Sequence, residues 1–321
     1  MSSVLNRFVG TIRDRMAEIT RDRTRYLAAD DQTRLSWARP ATAYSEVPGL
    51  FQPFFDAFPP EEREPFPYAV ISPSYKGFLQ PEKEKLICRI DGNLYVVEQK
   101  ADGLMSTSFP AAQIRYIETG SILLSSWFTI CGIDSRGNPA STTLKFNSVT
   151  EHLFSPFVEW FRTVVNPAGR TAEPAAETSP FDALADVNFK FMNYGRKTVP
   201  PGEPVLQFVL QPEIRAAAFT FLGFSITRRI ATAHLAILTE SDLIWIRDDP
   251  SQQTMARSPY GGIWNYIPLA GIESVSLIPV EDDLLELSVH LSGQERLKIP
   301  YAATKKTEAD KMCRRISERI R

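Results

Sequence analysis

The stretch Leu86-Ile87-Cys88-Arg89-Ile90-Asp91-Gly92-Asn93-Leu94-Tyr95-Val96-Val97 lies without a gap on Leu235-Ala236-Ile237-Leu238-Thr239-Glu240-Ser241-Asp242-Leu243-Ile244-Trp245-Ile246. Each reads as strand, polar turn, strand: short runs of β-forming residues around a turn-forming centre, clearest in Asp91-Gly92-Asn93. Working outward, Phe109-Pro110-Ala111-Ala112-Gln113-Ile114 matches Ile267-Pro268-Leu269-Ala270-Gly271-Ile272, and Ile117 matches Val275. Further on, Leu144-Lys145-Phe146 matches Leu297-Lys298-Ile299, and a helix-patterned segment follows each. The gaps fall at turns, where insertions cost little. Any two β meanders look somewhat alike, but the shared order, with a proline just before a strand, favours an internal repeat.

This order resembles the pleckstrin-homology-like superfold, in particular bacterial PH and GRAM-type domains. The likeness is carried by Leu238-Thr239-Glu240-Ser241-Asp242-Leu243-Ile244-Trp245-Ile246 followed by Ile267-Pro268-Leu269-Ala270-Gly271-Ile272-Glu273-Ser274-Val275. It spans Lys85–Val165 more weakly and His234–Arg321 more clearly, and does not reach Met1–Pro67. It implies a mainly β (α+β) chain of two PH-like split β-barrels, each closed by a C-terminal α-helix, plus an N-terminal helix. Phe157, Phe161 and Val164 would plug the first barrel, and Met312, Ile316 and Ile320 the second. Orthogonally packed bent sheets leave an open end for such a helix.

The expected organisation is a 1–67 extension, a first module over 68–165, a linker over 166–182 and a second module over 183–321. Within Met1–Leu27, Leu5, Phe8, Val9, Ile12, Met16 and Ile19 share a helical face opposite Arg7, Arg13 and other arginines. A proline-rich segment follows, whose Phe51, Phe54, Phe55 and Phe58 call for a packing partner. Strands are predicted over Tyr68–Ile71, Lys85–Ile90, Leu94–Glu98, Ala112–Glu118, Ile122–Ile133 and Ser141–Phe146. A helix follows, starting at Ser155-Pro156 or earlier at Ser148 with Glu151. Proline, alanine and threonine over Asn166–Asp182 mark the linker. Beyond it, strands are predicted over Val205–Leu210, Ala217–Ile226, Thr232–Leu238, Asp242–Ile246, Leu269–Ile278, Leu284–Leu291 and Glu295–Tyr301, then a helix from Thr304.

The chain has 321 residues, 43% of them hydrophobic, enough for two cores. Its net charge of −2 argues against a general nucleic-acid binder. Three cysteines, Cys88, Cys131 and Cys313, form no disulfide framework and read as small buried apolar groups. No apolar run reaches membrane-span length, and the N-terminus lacks a secretory signal pattern. The expected location is cytoplasmic, with peripheral membrane association as the alternative.

No nucleophile elbow, dinucleotide fingerprint or phosphate-binding glycine loop is present. His152, His234 and His290 lack metal-ligand spacing, and Asp248-Asp249 and Asp282-Asp283 fit turns better than acid–base pairs. No catalytic residue, cofactor or metal is therefore expected, and the chain reads as a non-enzyme.

Three features remain as binding candidates. The first is the long loop Arg247–Tyr266, with Arg257, Tyr260, Trp264 and Tyr266, as a recognition surface or as aromatics packed on the barrel. The second is the arginine-lined helix bearing Arg7 and Arg13, lying on an anionic membrane or packed on its own domain. The third is Lys83, Lys85 and Arg89, joined by Arg228 and Arg229 in the second module, as a headgroup grip or a solvated face. Lipid-binding PH domains use basic side chains at the open barrel end in this way. The leading expectation is a scaffold that binds an unidentified protein partner, by strand addition for example. The alternatives are binding to an anionic membrane surface and an enzyme whose site carries no recognisable motif.

Overall fold

A computed structural model describes residues 35–59, 61, 64–76, 81–165, 179–200, 202–221, 224–250, 261–281 and 283–320. The helix expected over Met1–Leu27, with Arg7 and Arg13, lies outside these residues, as do Arg257 and Tyr260. The first half carries β1 (Arg39–Ala41), α1 (Gln52–Asp56), β2 (Ala69–Ser72), β3 (Tyr75–Lys76) and β4 (Pro81–Glu82). It continues with β5 (Lys85–Ile90), β6 (Asn93–Lys100), β7 (Gly103–Pro110), β8 (Ile114–Ile122), β9 (Ser125–Ile133), β10 (Pro139–Asn147) and α2 (Ser155–Val165). The second half carries α3 (Phe189–Thr198), β11 (Val205–Gln211), β12 (Ile214–Phe221), β13 (Phe224–Ala231), β14 (His234–Thr239) and β15 (Asp242–Arg247). It ends with β16 (Gly262–Pro268), β17 (Ile272–Glu281), β18 (Leu284–Leu291), β19 (Glu295–Ala302) and α4 (Lys306–Arg319).

The chain is mainly β, and its sheets are antiparallel. From β2 to α2 and from β11 to α4 the elements run in the same order. A strand is followed by a hairpin, a three-strand meander, a one-turn 3-10 helix, a second three-strand meander and a closing helix. The 3-10 turns, Ala111–Gln113 and Leu269–Gly271, coincide with the proline-led match in sequence.

A seven-stranded sheet, in the order β10-β9-β8-β16-β15-β14-β11, crosses from one half to the other. Strand β8 pairs antiparallel with β16, from Ser121 opposite Gly262 to Ile117 opposite Tyr266. A five-stranded sheet (β1-β2-β5-β6-β7) and a three-stranded sheet (β17-β18-β19) complete the two cores.

The first two strands of each first meander, β5–β6 and β14–β15, are largely buried on both faces, so they read as continuous apolar runs rather than alternating ones. Ile87, Leu94 and Val96 face the core under α2, while Leu86, Cys88, Ile90 and Val97 face Phe51 and Phe55. Ala236, Leu238 and Leu243 face the core under α4, while Leu235, Ile237, Ile244 and Ile246 face Phe181, Phe191 and Met192. Each half thus uses the segment preceding it to cover an outer sheet face. Each fully buried phenylalanine there contributes on the order of 2 kcal/mol.

Several sequence expectations are corrected. Ile122–Ile133 is two strands joined at Leu123-Leu124, and Ala217–Ile226 spans the turn of the β12–β13 hairpin. The predicted linker ends too late: Pro180–Leu184 forms a 3-10 turn capped by Ser179, and Phe181 is buried. In α2 the inward residues are Phe157, Trp160 and Phe161. Val164 is exposed because its stripe runs past the edge of the core.

Candidate functional site

The expected recognition loop is a strand, not a loop, at Trp264 and Tyr266, while its Arg257 and Tyr260 lie outside the described residues. Trp264 and Tyr266 belong to β16, paired with β15 on one side and β8 on the other. The Trp264 indole donates to Thr198 Oγ1 at 3.0 Å and packs 4.8 Å from the Tyr194 ring. Burial pushes the Tyr266 phenol up to about 12. Both are packing residues at the seam between the halves.

Lys83, Lys85 and Arg89 each have a different surrounding. The Lys85 ammonium donates to the Thr143 carbonyl at 2.7 Å and lies 3.9 Å from Glu98. The Arg89 guanidinium sits 5.9 Å over the Trp160 ring, and Lys83 is exposed between β4 and β5. Two of the three are thus engaged in structural contacts.

Charge at the seam is paired across the halves. Arg162 of α2 donates to Asp242 at 2.7 Å and to Glu203 at 2.7 and 3.0 Å, with all three side chains no more than 4% exposed. Burial alone would lower the Arg162 pKa, but Asp242 and Glu203 outweigh it and raise it. Glu118 of β8 accepts from the Trp127 indole at 2.9 Å and from Arg247 and Asn265, each at 3.0 Å. Glu295 of β19 accepts from Arg115 at 2.9 Å, from the Tyr116 hydroxyl at 3.2 Å and from the Cys131 thiol. Burial and the adjacent Glu295 push that thiol up to about 12, so it stays protonated. A 170 Å³ cavity between α2 and α3 contains Arg162 and Tyr266, but its one deeply buried cation is already bound to carboxylates.

The strongest site is a cleft of about 620 Å³ in the second half, bounded by Arg215, Arg228, Arg229, Arg247 and Lys298 around Trp245. Four segments supply these cations: β12, β13, the end of β15 and β19. The β12–β13 hairpin brings Arg215 opposite Arg229, and the β14–β15 register sets Arg247 beside His234. The Arg247 guanidinium lies 4.9 Å over Trp245, which fixes its plane. Among the described residues, the lining contains no carboxylate. Acids stand behind it: Glu213 pairs with Arg215 and lies 3.9 Å from Arg229, Glu118 holds Arg247, and Glu286 lies 3.3 Å from Lys298.

Under the cleft, the buried His234 ring meets Trp245 edge-on at 6.1 Å and Tyr301 at 5.2 Å. Burial depresses its pKa to about 4, so the imidazole adds no charge at neutral pH. The arrangement can hold an anion, since guanidinium forks match phosphate oxygens. Sequence reasoning singled out Arg228-Arg229 alone. The other three cations are distant in sequence and carried no local pattern.

Among the described residues, no group of three or more His, Cys, Asp or Glu side chains is placed to hold a metal ion. No helix among them is long and apolar enough to cross a membrane. In comparisons with known proteins, the chain matches no protein-family model and no curated protein.

Proposed function

We infer that this chain is a non-enzymatic binding protein built from two PH-like modules, and that the second module takes a phosphorylated anion in its basic cleft. The repeated element order, the three-strand meanders and the closing helices α2 and α4 support the modular reading. The observation that carries the binding reading is the cleft itself: five cations from four chain segments around one aromatic wall, with a volume in the range of small-molecule sites.

Protein binding through the Arg247–Tyr266 region loses its main support, because Trp264 and Tyr266 are taken up in a central strand. Anion binding therefore moves ahead of scaffolding. The test is titration calorimetry with pyrophosphate at low and moderate salt, with acetate as the control anion. The expected result is saturable binding that weakens as salt rises and is lost in Arg215→Glu/Arg228→Glu. Equal binding by wild type and the charge-reversed protein would overturn the reading.

A further inference from the structure

The cavity between α2 and α3 is walled by four aromatic rings: Trp127 of β9, Phe146 of β10, Phe154 just before α2, and Tyr266 of β16. Phe146 and Phe154 stack with centroids 3.9 Å apart and planes 8° from parallel. The Trp127 indole lies over Gly120, its register partner on β8, where a Cβ would stand 2.0 Å from the ring. Its N–H donates to Glu118 at 2.9 Å, so the ring is held from two sides. The lining grades from buried residues, Phe146, Phe154 and Thr198, to exposed ones, Ser155, Glu159 and Pro200, so the cavity is open to solvent.

Two carboxylates stand among these rings. Glu151 comes from the 3-10 turn Ser148–Leu153 and Glu159 from α2. Among the described residues neither side chain has an ion-pair or hydrogen-bond partner. Arg162, three residues after Glu159 and a natural partner for it on a helix, is turned to Asp242 and Glu203 instead. Those two acids more than neutralise Arg162, which leaves Lys197 as the other cation of the lining, against Glu151 and Glu159. Burial is the main cause of the raised Tyr266 and Tyr194 pKa values, and the Glu151 charge adds to both, so its field reaches the rings. Ring faces carry negative potential and give a carboxylate nothing in return. Packing alone therefore does not account for two unpartnered acids here, whereas both acids and rings attract a cation. The Tyr266 ring already has one guanidinium, that of Arg162, at 5.7 Å.

We propose that this cavity binds a small organic ammonium ion, with the aromatic walls on its alkyl groups and Glu151 and Glu159 balancing its charge. The site is separate from the basic cleft and does not depend on the anion reading. Its size suits such an ion: the cavity measures about 170 Å³, and one of about 150 Å³ holds a benzene-sized molecule. Net negative charge disfavours an anion. A bare metal ion would ask for more oxygen ligands than two carboxylates among rings supply. An alkylated ammonium sheds its water easily and gains from ring faces, which is the chemistry of aromatic cages.

The test is titration calorimetry of the full chain with choline chloride, at ionic strength held constant with sodium chloride. The comparison ligand is 3,3-dimethylbutan-1-ol, which has the shape of choline without its charge. Wild type is expected to bind choline saturably and the alcohol at least about 10-fold more weakly. Glu151→Gln/Glu159→Gln is expected to weaken choline roughly 5–10-fold and leave the alcohol unchanged, with the urea midpoint reporting that the fold is intact. Trp127→Leu keeps an apolar wall without a π face and is expected to weaken choline more than the alcohol. Absence of saturable choline binding, or equal binding of choline and the alcohol, would overturn the proposal on the wild-type protein alone. Unchanged choline affinity in the folded Glu151→Gln/Glu159→Gln variant would overturn it too.

Discussion

Arg162→Met is the perturbation with the best-defined expected size. It keeps most of the side-chain length and removes a cation that makes four hydrogen bonds, to Asp242, to both oxygens of Glu203 and to the Thr198 carbonyl. Two nearly inaccessible carboxylates then lose that cation. Removing one member of a buried ion pair costs about 3–5 kcal/mol, because the remaining charge has left water without compensation. Urea unfolding is the suitable assay, since an ionic denaturant would mask the effect. With a slope of about 3 kcal/mol per molar urea, the midpoint falls by about 1–1.7 M. Arg196→Met is the control. Its partner Asp182 lies at 2.5 Å, but both side chains are more than a third exposed, 44% and 38%, and such pairs contribute little. Adding Glu203→Gln and Asp242→Asn to the Arg162 variant is expected to recover much of the loss. A loss below about 1 kcal/mol for Arg162→Met would show that water reaches the cluster and would refute the argument from burial.

Two further predictions follow from the same geometry. His234, with its pKa depressed from 6.5 to about 4 by burial, is neutral in the fold while the unfolded chain gains a proton below its ordinary pKa. Stability from this group is complete above pH 6.5 and lost as pH falls towards 4, about 3 kcal/mol in all. His234→Gln, followed by urea unfolding across that range, is expected to flatten this slope, and an unchanged slope would exclude His234 as its source. Glu118→Gln removes the carboxylate bound to Arg247, Asn265 and Trp127. The fold is expected to lose about 1–2 kcal/mol, while pyrophosphate affinity rises a few-fold as Arg247 is released towards the cleft. Calorimetry showing weaker binding would place Arg247 outside the site.

The shared order of elements was legible because local pattern and position along the chain coincide in it. The matched segments 86–97 and 235–246 are the β5–β6 and β14–β15 hairpins, and the proline-led match marks the same 3-10 turn in both halves. Strand β7 was missed because it is an outer strand whose first four residues, Gly103-Leu104-Met105-Ser106, are exposed, so no burial pattern is written into it. Helix α3 was missed because its ten residues include Gly195 and Asn193, poor helix formers. Gly195 is there because the Phe181 ring lies 2.7 Å from where a Cβ would stand. The leucine turn was hidden by its own composition, since Leu123-Leu124 reads as strand. The basic cleft was the least legible feature, because its cations meet only after four distant segments have folded.

The pairing of β8 with β16 has a consequence for how the two halves could ever live apart. Either half expressed alone would present a raw strand edge along Ile117–Ser121 or Gly262–Tyr266, with hydrogen-bonding groups aligned and apolar neighbours on both sides. The partner that suits such an edge best is the missing half itself, so two fragments divided between 166 and 178 should find one another and reassemble when mixed. The same edge on an unassembled half would template pairing with further copies. Co-production of both pieces should therefore give clean heterodimer where either piece alone gives aggregate.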